Sequence, residues 1–301
     1  MKIKKLLVIP ALVLTLAACG NQEEQPKTDP TSEEGKPLSD HDGYYSSIKD
    51  TDEGNALKQL IHNLMIDTHT TYPKYSEFKK TETYQKTCLN PDTNKIVNFY
   101  SAKETASYSG TREHVWPCAN SSGLWGRSGD SDIGEDYQGG GSDMYHIMPC
   151  SSFLNSFRGN SRFTVFTESD GAKSVTDSSG GKYYLKGVGY DANNQFCSRT
   201  EVANRFKGDV ARIAAYLYIH YSANFGKTNQ YTGSLNLSNI IYKPGTESMD
   251  YVYRVMVEWN KLDPVDAMER RRNDEVQKIQ GNRNPFIDHP EFMAKMFNIE
   301  Q

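Results

Sequence analysis

An α+β fold is what this sequence predicts, on three observations. Helical stripes of apolar residues occupy both ends of the chain, short β-branched and aromatic runs lie between them, and long connections rich in Gly, Ser and Asp separate those runs. Taken in order, Ala56–Met65 has apolar residues at 57, 60, 61, 64 and 65, one face of a helix. Lys95–Tyr100 reads as a strand. Residues 119–142 read as a long exposed loop, and Met144 to Met148 as a short strand that Pro149 breaks. Ser151 or Ser152 then caps a helix carrying Asn155 and Arg158. Residues 167–195 are again loop-like, with Gly180-Gly181 at a hairpin turn. Phe206, Val210, Ile213, Leu217 and Tyr221 recur at helical steps. Asp263 as N-cap, with Pro264 at the first helical position, opens a last long helix. Val265, Met268, Val276 and Ile279 line its buried side, and Gly281 ends it. No internal repeat is evident, and residues 44–301 are expected to form one domain.

The N-terminus is of another kind. Lys2, Lys4 and Lys5 precede an apolar run, Leu6 to Leu16, which is too short for a confident membrane span. Residues 1–18 therefore read as a secretory signal. Leu16-Ala17-Ala18-Cys19 resembles the bacterial lipobox, which implies cleavage before Cys19 and lipidation of its thiol. The plainer alternative is an ordinary signal peptide with an incidental Cys. Residues 19–43 hold little to bury and are expected to be an acidic flexible tether.

The whole chain carries a formal charge of −4, and loss of the three signal lysines takes it to −7. Residues 19–56 hold ten acids and three bases, so 57–301 is neutral. Net charge thus gives no support to nucleic-acid binding, which would need a local basic patch. Cys88, Cys118, Cys150 and Cys197 allow three disulfide pairings after export, and a Cys118–Cys150 bridge would staple the central segment.

Chemistry concentrates in Arg112-Glu113-His114-Val115-Trp116-Pro117 and, about 40 residues on, Asn155 and Arg158. Phosphodiester hydrolysis needs a base for water, neutralisation of the phosphate oxygens, help for the leaving oxygen, and alignment. A histidine titrates near neutrality and can take the water's proton. A carboxylate and an amide oxygen suit a hard divalent ion. Spacing alone leaves a difficulty, because neighbours on a regular strand point to opposite faces. From the residues only, a surface Glu beside a packed His is the plainer reading.

Further blocks recur along the chain: Tyr44-Tyr45 and the Ala56–Met65 helix, Arg112–Pro117, Ser142–Pro149, Asn155–Asn160, Gly208–Arg212, Trp259-Asn260, Pro264-Val265-Asp266, Glu269, Arg272-Asn273 and Gln280–Phe286. In order and spacing they resemble the bacterial endonuclease I family of ββα-metal (His-Me finger) nucleases. The resemblance implies a ββα-metal core packed among helices and a monomeric, exported enzyme that cuts DNA, RNA or both with little sequence specificity, leaving 5′-phosphate ends. It implies His114 as general base and Glu113 and Asn155 as ligands of a magnesium ion, with calcium or manganese able to occupy the site. It places a phosphate-binding arginine on the loop between the His and the Asn, where this chain has only Arg127. Arg158 is the second expected cation, as a phosphate contact or a brace for its helix. Arg112 is either a phosphate contact or an ion-pair partner, and His146 is expected to support the site rather than react.

Arg270-Arg271-Arg272 reads as a solvated or ion-paired helix face, with substrate contact as the alternative, and Gln280-Gly281-Asn282 as a structural turn. His62, His69, His220 and His289 show no H-E-x-x-H spacing, so a zinc hydrolase is disfavoured. The alternative of another class is a surface lipoprotein that binds nucleic acid or a host polymer without cutting it.

Overall fold

The computed structural model describes residues 35–122, 124–125, 139–166, 173–176, 182–186, 199–245 and 247–300. Cys19, Arg127, Gly180-Gly181 and Cys197 lie outside the described residues.

Helix α1 (Gly54–Thr68) and the short α2 (Thr81–Thr87) lead into a three-stranded antiparallel meander, β1 (Leu89–Asn90), β2 (Lys95–Val97) and β3 (Glu104–Thr105). Then come β4 (Thr111–His114) and β5 (Ile147–Cys150), an antiparallel pair, followed directly by α3 (Ser152–Arg158). A four-stranded sheet in the order β6 (Arg162–Phe163), β9 (Arg199–Glu201), β8 (Lys182–Lys186), β7 (Lys173–Thr176) follows. Helices α4 (Lys207–Tyr221), α5 (Met249–Leu262), α6 (Ala267–Gln280), α7 (Pro285–Asp288) and α8 (Phe292–Phe297) complete the α+β fold.

α4 is the centre of the helical layer. All its residues but Tyr218 are buried, and it packs against α1 and α5. A helix buried all round cannot be amphipathic, so its polar groups must find partners inside. Arg212 forks onto Glu269 through Nε (2.7 Å) and Nη2 (2.6 Å) and spends Nη1 on Asn260 and the Asp263 carbonyl. Gly208 permits this approach, since a Cβ there would lie 1.9 Å from the Asp263 carbonyl oxygen. Farther along α4, Tyr216 and Tyr221 each donate to Asp143 Oδ2 at 2.7 Å. These bonds anchor the segment before β5 to the central helix.

Several expectations are corrected. Residues 35–43 are not tether: Leu38 donates to the Ile48 carbonyl at 2.9 Å and Pro37 bridges Lys49, so the folded unit starts before residue 44. The strand over 95–100 ends at Val97; Phe99 makes only an isolated bridge to Cys150, and Tyr100 takes φ of 66°, outside any extended conformation. The described part of the 119–142 loop is not exposed throughout: Ala119 and Ser122 are, but Ser121, Trp125 and Gly139–Ser142 are buried. Pro149 lies inside β5 rather than breaking it: its carbonyl accepts from Phe99 N at 2.7 Å, and proline can occupy a strand where no donor is needed. The N-cap of α6 is Asp266, in a capping box with Glu269, while Asp263 closes α5. The Cys118–Cys150 staple is absent: Cys150 is a buried free thiol directed at the Phe99 carbonyl.

Candidate active site

The pairing of β4 with β5 sets Glu113 opposite Met148 and His114 opposite Ile147. Strand alternation sends their side chains to opposite sides of the backbone. The strand ends at His114 and the chain bends through Val115-Trp116. Both side chains line one cleft of about 440 Å³, together with Arg112, Asn155 and Arg158. The difficulty posed by adjacent strand residues is met by a site that straddles the strand end.

Glu113 is on the inner side, 1% exposed. Its Oε1 accepts from Tyr100 Oη at 2.7 Å and from Arg158 Nη1 at 3.0 Å, and Oε2 has no hydrogen-bond partner among the described residues. Burial raises its pKa to about 7, against the opposing pull of the Arg158 charge and the tyrosine hydrogen bond. Tyr100 reaches the carboxylate from a left-handed backbone conformation, φ 66°, a strain of roughly 1–3 kcal/mol that surrounding packing must hold.

His114 is on the other side. Its ring stacks on Tyr75 at 5.5 Å between centroids, and Nε2 lies 3.0 Å from the Gly141 carbonyl oxygen. A carbonyl only accepts, so Nε2 carries the proton and Nδ1 is the basic nitrogen. Burial lowers its pKa to about 4; the Gly141 hydrogen bond opposes this, and Arg112 and Arg158 add to it. The imidazole is therefore neutral at physiological pH, as a proton acceptor must be.

Ser151 caps α3 by accepting from Leu154 N at 3.2 Å, as expected, and the helix presents Asn155 and Arg158 to the cleft. Asn155 Nδ2 donates to Thr111 Oγ1 (2.9 Å) and the Arg112 carbonyl (3.2 Å). A carbonyl acceptor fixes which end of the amide is nitrogen, so the amide oxygen is what remains for a ligand. Arg158, 1% exposed, donates to Glu113, to the His114 carbonyl at 3.0 Å and to the Val115 carbonyl at 2.5 Å. It ties α3 to the strand end. An ion pair this deep is tolerated because both members have further polar partners.

The donor set fits a hard divalent cation: a carboxylate with one oxygen uncommitted, and an amide oxygen, both in an open cleft. The described residues also bring His69, Asp143 and His220 within 4.8 Å of one another, all buried. That second group offers imidazole nitrogens without hydrogen bonds. Its carboxylate already accepts four bonds, from Tyr216, Tyr221, Tyr145 N and Gln280 Nε2, which leaves Asp143 little capacity for a metal.

Other expected residues are placed as follows. His146 is fully buried, donates from Nε2 to Gly140 O at 2.6 Å and accepts from Trp116 N at 3.4 Å, a supporting position 5.1 Å ring to ring from His114. Arg112 has no ion pair among the described residues; its guanidinium is 4.2 Å from the Tyr75 ring. Arg270, Arg271 and Arg272 donate to backbone carbonyls of Val265, Lys86 and Thr87, so this run braces the fold. Gln280 accepts from Met144 N at 2.6 Å, and Gly281 turns at φ 93°, consistent with the structural turn. Sequence reasoning missed Tyr75, Tyr100 and Gly141. Their roles arise from long-range contacts and carry no local signature.

A two-stranded pair and a following helix that bring a glutamate, a histidine and an asparagine to one cleft define a nuclease of the ββα-metal class. The Endonuclease I family model matches residues 53–291, and the chain belongs to that family. It is 34% identical over 276 residues to an extracellular ribonuclease of Bacillus subtilis (strain 168), covering 87% of this chain and 80% of the relative. It is 31% identical over 273 residues to an extracellular ribonuclease of Bacillus amyloliquefaciens, with the same two coverages, 87% and 80%. A more distant relative, Endonuclease-1 of Buchnera aphidicola subsp. Baizongia pistaciae (strain Bp), is 23% identical over 180 residues, 58% of this chain and 60% of the relative. The protein is a nuclease.

Proposed function

We propose that the protein is an exported, lipid-anchored, metal-dependent endonuclease that hydrolyses RNA, DNA or both with little sequence specificity and leaves 5′-phosphate ends. The observation that carries this reading is the single cleft shared by Glu113, His114 and Asn155. The names of the two Bacillus relatives favour RNA as a substrate and export as the destination, and that of the third is neutral between nucleic acids.

His114 Nδ1 takes the proton of the attacking water, and the Gly141 carbonyl holds the ring in the tautomer that makes this possible. Glu113, through its uncommitted oxygen, and the Asn155 amide oxygen would hold the cation, magnesium by donor type, with calcium or manganese as substitutes. When bound, the ion supplies Lewis-acid neutralisation of the phosphate and of the leaving oxygen. Tyr100 and Arg158 fix the carboxylate through its other oxygen. Arg158 is in this reading a positioning residue whose charge also lies at the wall of the cleft. Arg127 remains the proposed phosphate contact from the loop. Contacts to phosphate rather than to bases account for low specificity.

Residues 1–18 as signal, Cys19 as lipidated residue and the following acidic segment as tether complete the proposal, with anchoring at the bacterial cell surface or envelope. No helix among the described residues is long and apolar enough to cross a membrane. Digestion of matched single- and double-stranded RNA and DNA, with magnesium and with chelator, tests the activity through its end groups. Metabolic labelling with a fatty acid, lost in Cys19→Ser, tests the anchor. A purified protein that binds nucleic acid and never cuts it would instead favour a non-catalytic binding protein.

A further inference from the structure

A second cleft, of about 410 Å³, opens beside the first; Tyr75, Lys79, Tyr108, Thr111 and Arg112 are among its walls. Arg112 belongs to the walls of both clefts. The second cleft carries two cations and, among the described residues that line it, no carboxylate. Lys79 is exposed and makes no ion pair among the described residues, whereas the adjacent Lys80 is paired to Glu77 at 2.6 Å. The Arg112 guanidinium lies 4.2 Å from the centre of the Tyr75 ring, and its Nη1 is buried with no hydrogen-bond partner among the described residues. The same Tyr75 ring is stacked with His114 at 5.5 Å between centroids, so it touches both the cation and the imidazole. A buried guanidinium N–H without an acceptor is uncommon in a folded protein, and an anionic oxygen would satisfy it. The neutral body of the domain makes such a local pair of cations the feature a polyanion would find.

We propose that this second cleft is a phosphate subsite for the nucleotide next to the one being cut, with Arg112 at the junction and Lys79 at the outer end. It rests on the nuclease reading above and deepens it. The ligand is the backbone phosphodiester of the same strand, so one strand of the substrate runs from the Glu113–His114–Asn155 cleft past Arg112 toward Lys79. Tyr108 also lines this cleft and would supply an aromatic contact to the sugar or base. Engagement of Arg112 by phosphate would also steady the Tyr75 ring against which His114 is stacked.

The test uses the full mature protein and single-stranded oligo-dT and oligo-U of two to eight residues. Lys79→Met and Arg112→Met, with Arg112→Lys as the conservative control, are compared with wild type in magnesium at several salt concentrations. The expected result is that Lys79→Met raises KM about tenfold on the longer oligomers, leaves the shortest cleavable substrate unaffected and flattens the log–log salt dependence by about one unit, while Arg112→Met, at the wall of both clefts, raises KM more on the longer oligomers than on the shortest. Arg112→Lys should restore most of the loss. Equal losses at every length, or no loss at any length, would overturn the subsite. A separate arm reads binding alone: fluorescence anisotropy of a labelled octamer in chelator, with wild type and Lys79→Glu. Weaker binding by Lys79→Glu supports the subsite even if no oligomer is cleaved, in which case the assigned catalytic function fails by itself; equal binding overturns the subsite.

Discussion

The carbonyl oxygen of Gly141 accepts a hydrogen bond from Nε2 of His114 at 3.0 Å. The neighbouring Gly140 carbonyl does the same for Nε2 of His146 at 2.6 Å. A buried glycine turn, 27 residues away from His114 in sequence, thereby sets the tautomers of two histidines that face each other in the site.

His114→Ala is expected to lower kcat about 10²- to 10⁴-fold while the fold persists, the range typical for loss of a general base. Nicking of plasmid and hydrolysis of RNA under saturating magnesium, with circular dichroism as the check on folding, measure this. Undiminished cutting by a folded variant would remove His114 from its assigned role.

Glu113→Gln and Asn155→Ala should raise the metal concentration needed for half-maximal activity. Asn155→Asp should recover part of the loss, because it restores an oxygen donor. Titration of activity with magnesium distinguishes this from a change in kcat alone; variants with unchanged metal dependence would contradict the ligand assignment.

The two pKa shifts predict different pH limits. Without metal, Glu113 binds a proton as pH falls through about 7, and the proton competes with the cation. His114 stays neutral until pH approaches about 4. The magnesium requirement should therefore rise steeply below pH 7, while activity at saturating metal persists to much lower pH. A half-maximal metal concentration independent of pH between 5 and 8 would refute this order.

Arg158→Met should destabilise the domain by about 3–5 kcal/mol at pH 8, where it leaves a buried carboxylate without its countercharge. The penalty should shrink as pH falls toward 7, because loss of the Arg158 charge, which lowers the Glu113 pKa, lets the buried carboxyl take up a proton at higher pH in the variant than in the wild type. Urea unfolding at the two pH values, in chelator, gives the comparison, and an equal loss at both would show that the lost packing on Phe163 dominates instead.

Gly140→Ala tests the turn. A Cβ at that position would lie 2.0 Å from the Trp125 ring, so the turn or the tryptophan must move. The expected outcome is a stability loss of about 1–3 kcal/mol from overpacking and a fall in kcat through the displaced Gly141 carbonyl. Unfolding midpoints and kcat measured on the same preparation check both.

Local pattern was enough for the long helices, because a 3.6-residue apolar stripe is written in neighbouring residues; Ala56–Met65 and Phe206–Tyr221 appear where periodicity put them. The cap at Ser151, with Asn155 and Arg158 on the helix it starts, was also legible, since capping is a matter of adjacent atoms. The grouping of Glu113, His114 and Asn155 was visible through resemblance rather than spacing, and the cleft brings them together. Other features depended on contacts made across the chain. Tyr100 looks like the end of a strand until its backbone turns left-handed to meet Glu113. Arg158 could have faced a phosphate or a protein oxygen, and three protein oxygens engage it. Tyr75, Gly141 and Asp143 acquire their partners only when α4, the glycine turn and β4 pack together. Residue type and short-range spacing encode helix faces, caps and the chemical parts of the site. Protonation state, tautomer and the aim of each ligand atom follow from burial and from partners distant in sequence, so they are fixed by the packed chain alone.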